Sequence, residues 1–452
     1  MISLLQKLKV DTFKLLTAAS SIIRPGVASS GMMQEYIARH HDRKRISYAH
    51  PKMEELLSET YGIMIYQEDV LNVVHGIAGL SYGQADLFRR AMSGKLRSKE
   101  SIEGHKRAFM DGCIKNGLKK DLAIELWRQI SSFSGYSFCK AHSASYAVLS
   151  FQEAWLKVHY PTEFLCSVLN NYGGFYKHQE YINEAKALHI EVLLPDVNRS
   201  STDHRVEQDH VIRIGLTGLK EVSDTSKQNL LRNREDGYYT SIEDFALRSG
   251  VTPEDGRIFI AIGACDRFGK TREEMQILFA SYSNSRTKSV SRKVNRKQIE
   301  GYFQESFALD TNTKQFDLSH LTESTPFHDF RLEKRYLGYS VTEHPCSFLG
   351  NAENVVPSSS LHKFINKTVT IQGYIASRKD IRTKKGEPMC LLNLTDVEGM
   401  IDVVVWHDLY THSFAALANA EGLRITGKVQ ADYGVYSIIT SSVERVNFVE
   451  LQ

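Results

Sequence analysis

The hydrophobic pattern of this chain changes period once, near residue 365, and that change dictates two kinds of domain. Upstream, apolar residues recur at helical spacing. Ala147, Phe151, Ala154, Trp155 and Val158 form one stripe, and Val70, Leu71, Val73, Val74 and Ile77 form another between Gln67 and Ala78. Downstream the pattern alternates with period two at 368–375, 389–394, 399–405, 423–429 and 435–440. A segment written for one period does not bury its apolar side in the other, so the chain reads as a helical body followed by a small sheet. Lys385-Gly386 supplies a hairpin turn between the first two strands, and Tyr410 to Ala420 reads as a helix between the third and fourth.

Five strands with a helix between the third and fourth is the OB arrangement, a closed barrel that often binds oligonucleotides. The expected fold class is therefore multidomain α+β, with a mainly α-helical region followed by a C-terminal five-stranded OB β-barrel. The 452 residues have room for roughly three domains at ~150 residues each. With 42% hydrophobic and 24% charged residues, wholesale disorder is excluded. Net charge is only +3, so any basic surface must be local. The six cysteines stand far apart without a C-x-x-C pair, which disfavours a zinc knot or a disulfide framework and fits reduced thiols in a cytoplasmic setting. No apolar run reaches the ~18 residues of a membrane helix, and the N-terminus has no secretory pattern.

Between these markers, residues 50–190 read mostly as helix. Short strands or extended links are expected at 190–195 and 211–214, and short helices at 220–234, 241–248 and 253–262. A long helix is expected over 270–300, and a polar linker over 310–326.

The chemistry that the sequence displays is cationic rather than catalytic. Paired carboxylates for two-metal phosphoryl transfer are missing: no Asp-x-Asp occurs, and Asp396-Val-Glu398 reads as a polar turn. No phosphate-binding G-x-x-x-x-G-K loop, H-E-x-x-H or G-x-S-x-G is present. Arg89-Arg90 followed by Lys95 fits phosphate oxygens, and fits equally a solvated basic helix end. Lys140, His142, Ser143, Ser145 and Tyr146 precede or open the strong helix expected over 146–158. A helix N-terminus with hydroxyls and a lysine suits an anion, and N-capping by Ser143 or Ser145 is the plainer alternative. Arg39 to Arg45 is a basic patch, and Arg286 to Lys297 holds six cations without an acid.

Several of these blocks together resemble the catalytic alpha subunits of bacterial DNA polymerase III, the C-family polymerases. The matching text is Ile23-Arg-Pro-Gly-Val-Ala-Ser-Ser-Gly-Met, Thr60-Tyr-Gly-Ile-Met-Ile-Tyr-Gln-Glu, Ala85-Asp-Leu-Phe-Arg-Arg-Ala-Met-Ser-Gly-Lys and Phe133-Ser-Gly-Tyr-Ser-Phe-Cys-Lys-Ala-His-Ser-Ala-Ser-Tyr. Lys157-Val-His-Tyr-Pro-Thr-Glu-Phe and Leu332-Glu-Lys-Arg-Tyr-Leu-Gly-Tyr-Ser-Val-Thr-Glu-His-Pro follow in order. The resemblance implies the end of the palm and the fingers over 1–190 and a helix-hairpin-helix region over 191–275. It implies a helical connector and linker over 276–360 and the OB domain over 361–452. The family's PHP domain and the palm aspartates that bind Mg²⁺ would precede Met1, and the ending is similar to the shorter, error-prone branch.

By the same resemblance, the chain selects dNTPs and holds DNA during template-directed synthesis. Arg89, Arg90, Lys95, Lys140 and His142 would handle the triphosphate, with Ser143 and Tyr146 shaping the pocket. Arg43, Arg45, Lys220 and Lys293 would meet DNA. On the barrel, stacking and phosphate contacts to single strands fall to Tyr374, Arg378, Lys384, Lys385 and Trp406. Template-primer DNA, dNTPs, a palm-bearing chain and a sliding clamp are the implied partners, and no membrane is. The chain alone should bind DNA without extending a primer. One departure stands out: the hydrophobic-Gly turn of the first hairpin reads Val222-Ser223, and Ser lacks glycine's freedom at positive φ. The alternative from another class is a non-catalytic nucleic-acid-binding protein built from the same hairpin and barrel modules.

Overall fold

The structure is a computed structural model that describes residues 1–23, 31–92, 99–133, 139–171, 174–288, 324–350, 352–383, 385–418 and 420–450. Its residues fall into two compact units, one of 1–156 with 431–436 and the other of 157–430 with 437–452.

The first unit is helical: α1 (Ile2–Leu8), α2 (Phe13–Ile22), α3 (Met32–His41), α4 (Pro51–Leu57), α5 (Gln67–Ala78), α6 (Tyr82–Met92), α7 (Lys99–Lys115), α8 (Lys120–Phe133) and α9 (Lys140–His159). Helix α5 has the limits its apolar spacing predicts. Val70, Val73, Val74 and Ile77 are buried, and Gly79 ends the helix with φ 69°, the left-handed C-cap that glycine adopts without strain. Asp69 starts it from the N3 position, where its carboxylate accepts the Ile65 and Tyr66 amides at 2.8 and 2.9 Å. Phe88, Phe109 and Trp127 bring α6, α7 and α8 together, with Phe88 edge-on to Trp127 at 5.3 Å. A Cβ on Gly112 would stand 2.2 Å from the Ala78 carbonyl oxygen, so glycine alone permits α7 to approach the end of α5 this closely.

Helix α9 is longer than its stripe predicts and starts at Lys140 rather than 146. Ala147 is buried, but Phe151, Trp155 and Val158 remain 40%, 53% and 75% exposed. Periodicity correctly gives a helix here. It does not give a cover for the apolar side, since a period fixes which residues share a face and not what packs on it.

The second unit continues with α10 (Pro161–Asn171) and α11 (His178–Ala187). Strands β1 (Glu191–Leu193), β2 (Arg205–Gln208) and β3 (Val211–Arg213) form a small sheet in the order β1-β3-β2. Then come α12 (Asp224–Arg234), α13 (Ile242–Arg248), α14 (Pro253–Ala261), α15 (Arg272–Lys288) and α16 (Pro326–Tyr336). Ser223, Ser241 and Thr252 are N-caps whose side chains accept the Ser226, Asp244 and Asp255 amides. The long helix expected over 270–300 is described as far as Lys288, and most of the expected 310–326 linker lies outside the described residues.

The barrel follows the order that alternation predicts: β4 (Thr368–Arg382), β5 (Pro388–Thr395), β6 (Met400–Val405), α17 (His407–Leu417), β7 (Gly422–Asp432) and β8 (Val435–Val446). It closes as β4-β5-β6-β8-β7, with β4 antiparallel to β7 and β6 parallel to β8. Ile371, Leu392, Leu394, Val403, Ile425 and Ile438 fill its interior. Gly427 lies where an added Cβ would stand 2.5 Å from the Ile439 oxygen, which only glycine allows.

Two carboxylates, Glu333 buried and Glu180 half-buried, organise this unit. Glu333 accepts the Val341 and Thr342 amides at 2.5 and 3.1 Å, together with the Ser340 and Thr342 hydroxyls at 3.1 and 2.7 Å. Glu180 on α11 accepts the Tyr374 hydroxyl at 2.6 Å and the Thr395 hydroxyl at 3.1 Å, which fastens that helix to the barrel.

Candidate nucleic-acid interface

In the first unit the cations of interest are already engaged by carboxylates. Arg89 donates from Nε and Nη2 to Asp86 at 3.0 and 2.8 Å, and from Nη1 to Gln67 at 3.2 Å. Arg90 Nε reaches the other Asp86 oxygen at 2.7 Å, and its side chain remains 60% exposed. These pairs hold the Asp86 carboxyl below its ordinary range. The one-turn spacing from Asp86 to both arginines makes this possible, since i+3 and i+4 share a helix face. Lys140 Nζ meets Glu59 at 2.8 Å and stands 5.2 Å from the centre of the Tyr66 ring.

The helix expected from residue 146 begins six residues earlier, at Lys140. With the helix beginning at Lys140, its first amide donates to Glu68 at 2.9 Å, so a protein carboxylate fills the place a phosphate would take. Ser143 sits inside the first turns, 1% exposed, with its Oγ 2.6 Å from that of Ser21. It therefore packs helix α9 against α2 instead of lining a pocket surface. Ser145 bonds back to the Ala141 carbonyl at 2.9 Å. His142 lies edge-on to Tyr146 at 4.7 Å, and Tyr146 is 56% exposed. Lys95 lies outside the described residues. Burial pushes the nearby Asp69 carboxyl up to about 7, against the opposing pull of its two amide donors and of Lys140.

The basic patch forms a single tight turn, Arg43–Arg45, capped by Asp42. Arg43 lies over the Tyr61 ring at 4.1 Å and donates to its hydroxyl at 3.2 Å, while Arg45 reaches Glu35 at 3.5 Å. Both arginines are exposed.

In the hairpin region the expected weakness of Val222-Ser223 is misplaced. Ser223 has φ −66° and serves as an N-cap that also donates to Asp255 at 2.7 Å. The left-handed residue is Glu221, at φ 62°, so glycine's freedom is not needed at 223. Lys220 beside it is exposed. In the second turn Gly263 has φ 84°, and a Cβ there would meet Arg272 at 2.6 Å. Lys293 lies outside the described residues.

On the barrel the aromatic assignments divide. Tyr374, expected to stack with bases, is 6% exposed and fixed between Glu180 and Asn183, so it belongs to the packing against α11. Burial pushes its phenol up, and burial likewise pushes the Glu180 carboxyl up. The alternation of β4 could not reveal this, because the covering helix lies far away in sequence. Trp406 is 48% exposed. It follows Val405, which pairs with Cys390, which pairs with Asp380, so it stands at the end of the barrel that carries the 383–387 hairpin. Lys379, Arg382 and Lys385 are exposed on or beside that hairpin. Arg378 is held by Asp380 at 3.1 Å and by the Leu417 carbonyl at 2.8 Å, and it lies 5.8 Å from the centre of the Phe414 ring. Lys384 lies outside the described residues. Arg382 and the exposed Phe414 are members of this end that the sequence reading missed. Their position beside an alternating strand end and a hairpin was the available signal.

All six cysteines are free thiols. Among the described residues, no group of three or more His, Cys, Asp or Glu could hold a metal ion. Nor is any helix there long and apolar enough to cross a membrane.

Comparison with known proteins agrees with this layout. Residues 1–117 match the bacterial DNA polymerase III alpha subunit finger domain, 189–275 a helix-hairpin-helix motif, and 369–446 an OB-fold nucleic acid binding domain. The DNA polymerase III subunit alpha of Borreliella burgdorferi is 31% identical over 454 residues, covering 98% of this chain and 39% of that protein. The Bacillus subtilis protein of the same name is 29% identical over 98% of this chain and 39% of its own length. That of Aquifex aeolicus is 28% identical over 90% of this chain and 34% of its own. The chain thus spans between a third and two fifths of the relatives it matches. In the order of its three matched domains, and along nearly its whole length, the chain is similar to the finger, helix-hairpin-helix and OB-fold portion of DNA polymerase III alpha subunits.

Proposed function

We propose that this chain is the nucleotide-handling and DNA-holding part of a DNA-directed DNA polymerase, which adds dNTPs to a primer 3′ end during replication. The observation that carries the reading is the co-linear run of finger, hairpin and OB-fold domains. The exposed tryptophan and cations at one end of the barrel support it. In this reading the domains divide at 1–190, 191–275, 276–360 and 361–452.

Each region then has a task set by its chemistry. Arg89, Arg90 and Lys140 exchange Asp86 and Glu59 for the more highly charged triphosphate, and charge neutralisation at a phosphoryl group is worth several kcal/mol or more. Arg43, Arg45 and Lys220 follow the duplex backbone. Trp406 stacks with an unpaired base while Lys385 and its neighbours take the phosphates. The family's Mg²⁺ has no fitting ligand cluster among the described residues, so no step is assigned to it on this chain.

The test uses the full chain. It should bind single-stranded DNA better than duplex, with affinity falling on a log–log salt plot by about 0.7 per phosphate neutralised. Trp406→Ala should weaken single-strand binding about tenfold at unchanged salt slope, and Lys385→Ala should flatten the slope. In calorimetry with a dNTP, Arg89→Ala, Arg90→Ala and Lys140→Ala should each lose about 1.5–3 kcal/mol relative to Lys119→Ala. A clear duplex preference, or salt-independent binding, overturns the barrel assignment. Equal dNTP affinity in all four variants overturns the finger assignment.

A further inference from the structure

The segment leading into α11 covers part of the barrel wall and carries a charged surface of its own. The face of an OB barrel around its second and third strands is a common place for oligonucleotides. Here Glu180 and Asn183 of α11 hold Tyr374, and Glu180 also holds Thr395 of β5. Tyr176 lies by Asp402 of β6, where burial and then that carboxylate keep its phenol above the ordinary value. The wall around Thr395 and Asp402 is therefore taken by this chain itself. On either side of Tyr176, Phe175 is 76% exposed and Lys177 is exposed. The Phe175 ring stands edge-on to Tyr176 at 5.1 Å, so a half-buried tyrosine supports an exposed ring.

Lysines from two other elements gather beside this segment. Lys334 on α16 is exposed, and its ammonium stands 5.9 and 5.4 Å from the centres of the Phe330 and Phe448 rings. Burial holds that ammonium below its ordinary value, Glu421 pulls it up, and Lys177 lowers it again. Lys220, also exposed, lies across the end of α16, where a Cβ on Gly338, at φ 91°, would collide with its Nζ. Glu421 precedes Gly422, which pairs with Tyr374, so Lys334 lies toward the end of the β4–β5 ladder away from the 383–387 hairpin.

The carboxylates of this region are engaged elsewhere. Glu221 meets Arg335 at 3.1 Å, Glu421 accepts the Phe448 amide at 3.2 Å, and Glu180 accepts the two hydroxyls of the barrel. Among the described residues, Lys177, Lys220 and Lys334 have no ion-pair partner. Arg89, Arg90 and Lys140, by contrast, are each held by a carboxylate. Neighbouring like charges repel, and an anion set among them relieves the repulsion. Lys334 keeps its stem on aromatic rings, so it loses little freedom on binding. A phosphate backbone supplies anions in a row. An exposed ring takes an unpaired base, whereas a duplex keeps its base faces stacked inside.

We propose that Phe175, Lys177 and Lys334 form a second surface for single-stranded DNA, beside Lys220 and separate from the barrel end that carries Trp406. The inference rests on the DNA-binding reading above and adds a surface to it.

Fluorescence anisotropy of the full chain with labelled oligo-dT, over a range of salt, tests this. Lys177→Ala/Lys334→Ala should bind about tenfold more weakly, with a log–log salt slope shallower by about 1.4, the value for two phosphates. Phe175→Ala should weaken binding about tenfold at unchanged slope, and leave a blunt duplex bound within about twofold of the unaltered chain. Lys119→Ala/Lys120→Ala removes the same charge elsewhere and should change single-strand affinity by less than about twofold. The same factors should recur in a Trp406→Ala background, because distant sites add. Thermal melting checks folding. If the Lys334 change unfolds the chain, Lys177→Glu carries the charge test and should weaken binding more than Lys177→Ala. Unchanged affinity in the folded variants overturns the inference while leaving single-strand binding intact, and so does an equal loss in the lysine control. Disappearance of the effects in the Trp406→Ala background overturns it, since that marks one shared surface. Competition by polyglutamate as strong as by unlabelled oligo-dT overturns it in favour of an acidic protein partner. Binding of no single strand at all overturns the single-strand reading and this inference with it.

Discussion

The two units use carboxylates in opposite ways. In the first unit, Asp86 and Glu59 hold the cations that the sequence marks out, Arg89, Arg90 and Lys140. In the second unit, Glu333 is buried and Glu180 half-buried, and they hold loops and a helix. The barrel end with Trp406 and Lys385 is left exposed. Exposed pairs are worth little because water competes for both partners, whereas a buried carboxylate with several donors cannot lose them cheaply. A surface pair is therefore suited to exchange for a ligand, and a buried one is suited to fix geometry.

The largest expected effect follows from that contrast. Glu333→Ala removes the acceptor of the buried Val341 amide, the Thr342 amide and two hydroxyls, and should cost about 3–4 kcal/mol in denaturant unfolding. A loss below about 1 kcal/mol would erase the distinction between the units. Tyr374→Phe comes next. It takes a donor from Glu180 and should destabilise by about 2–3 kcal/mol, with single-strand affinity unchanged. Weakened DNA binding with stability intact would return Tyr374 to the binding surface.

The pH response sharpens the comparison. The Asp69 carboxyl is raised to about 7 by burial, so its neutral form is favoured in the folded unit. That contribution is complete below the ordinary aspartate value and is lost as pH rises through about 7. His204 and His344 in the second unit are lowered to about 4 by burial. Their contribution is complete above the ordinary histidine value and is lost as pH falls toward 4. Raising pH from 5 to 8 should therefore cost the first unit about 2–3 kcal/mol while the second unit gains. Hydrogen exchange resolved by segment measures both. Asp69→Asn should abolish the first unit's response, and a shared direction in the two units would contradict the assignment. The smallest effect is that of Lys140→Ala, which breaks one half-exposed pair and should shift stability by less than about 1 kcal/mol in a thermal melt. A larger shift would make Lys140 a structural residue.

The barrel shows how far local pattern reaches. Its five strands, the intervening helix and the Lys385-Gly386 turn follow from period-two alternation and turn chemistry, because a strand's two faces are written two residues apart. Helix α5 was readable for the same reason with a different period. The candidate site was less so. Lys140 and Ser143 are legible in the sequence as candidates for an anion site, yet their partners Glu59, Glu68 and Ser21 stand far away in sequence. The left-handed residue of the first hairpin fell on Glu221, two positions before the one that composition suggested.

By itself, then, the sequence determined the element types, the closed barrel after residue 365 and the segments that carry charge. These follow from the backbone's own periods and from residue chemistry. The tertiary structure decided which of those residues face solvent. Tyr374 lies on a strand and Trp406 just past the end of one, both among alternating residues, but only Tyr374 has a helix with a glutamate packed over it. Burial and hydrogen-bond partnership depend on what folds back from elsewhere in the chain, and no local period encodes that.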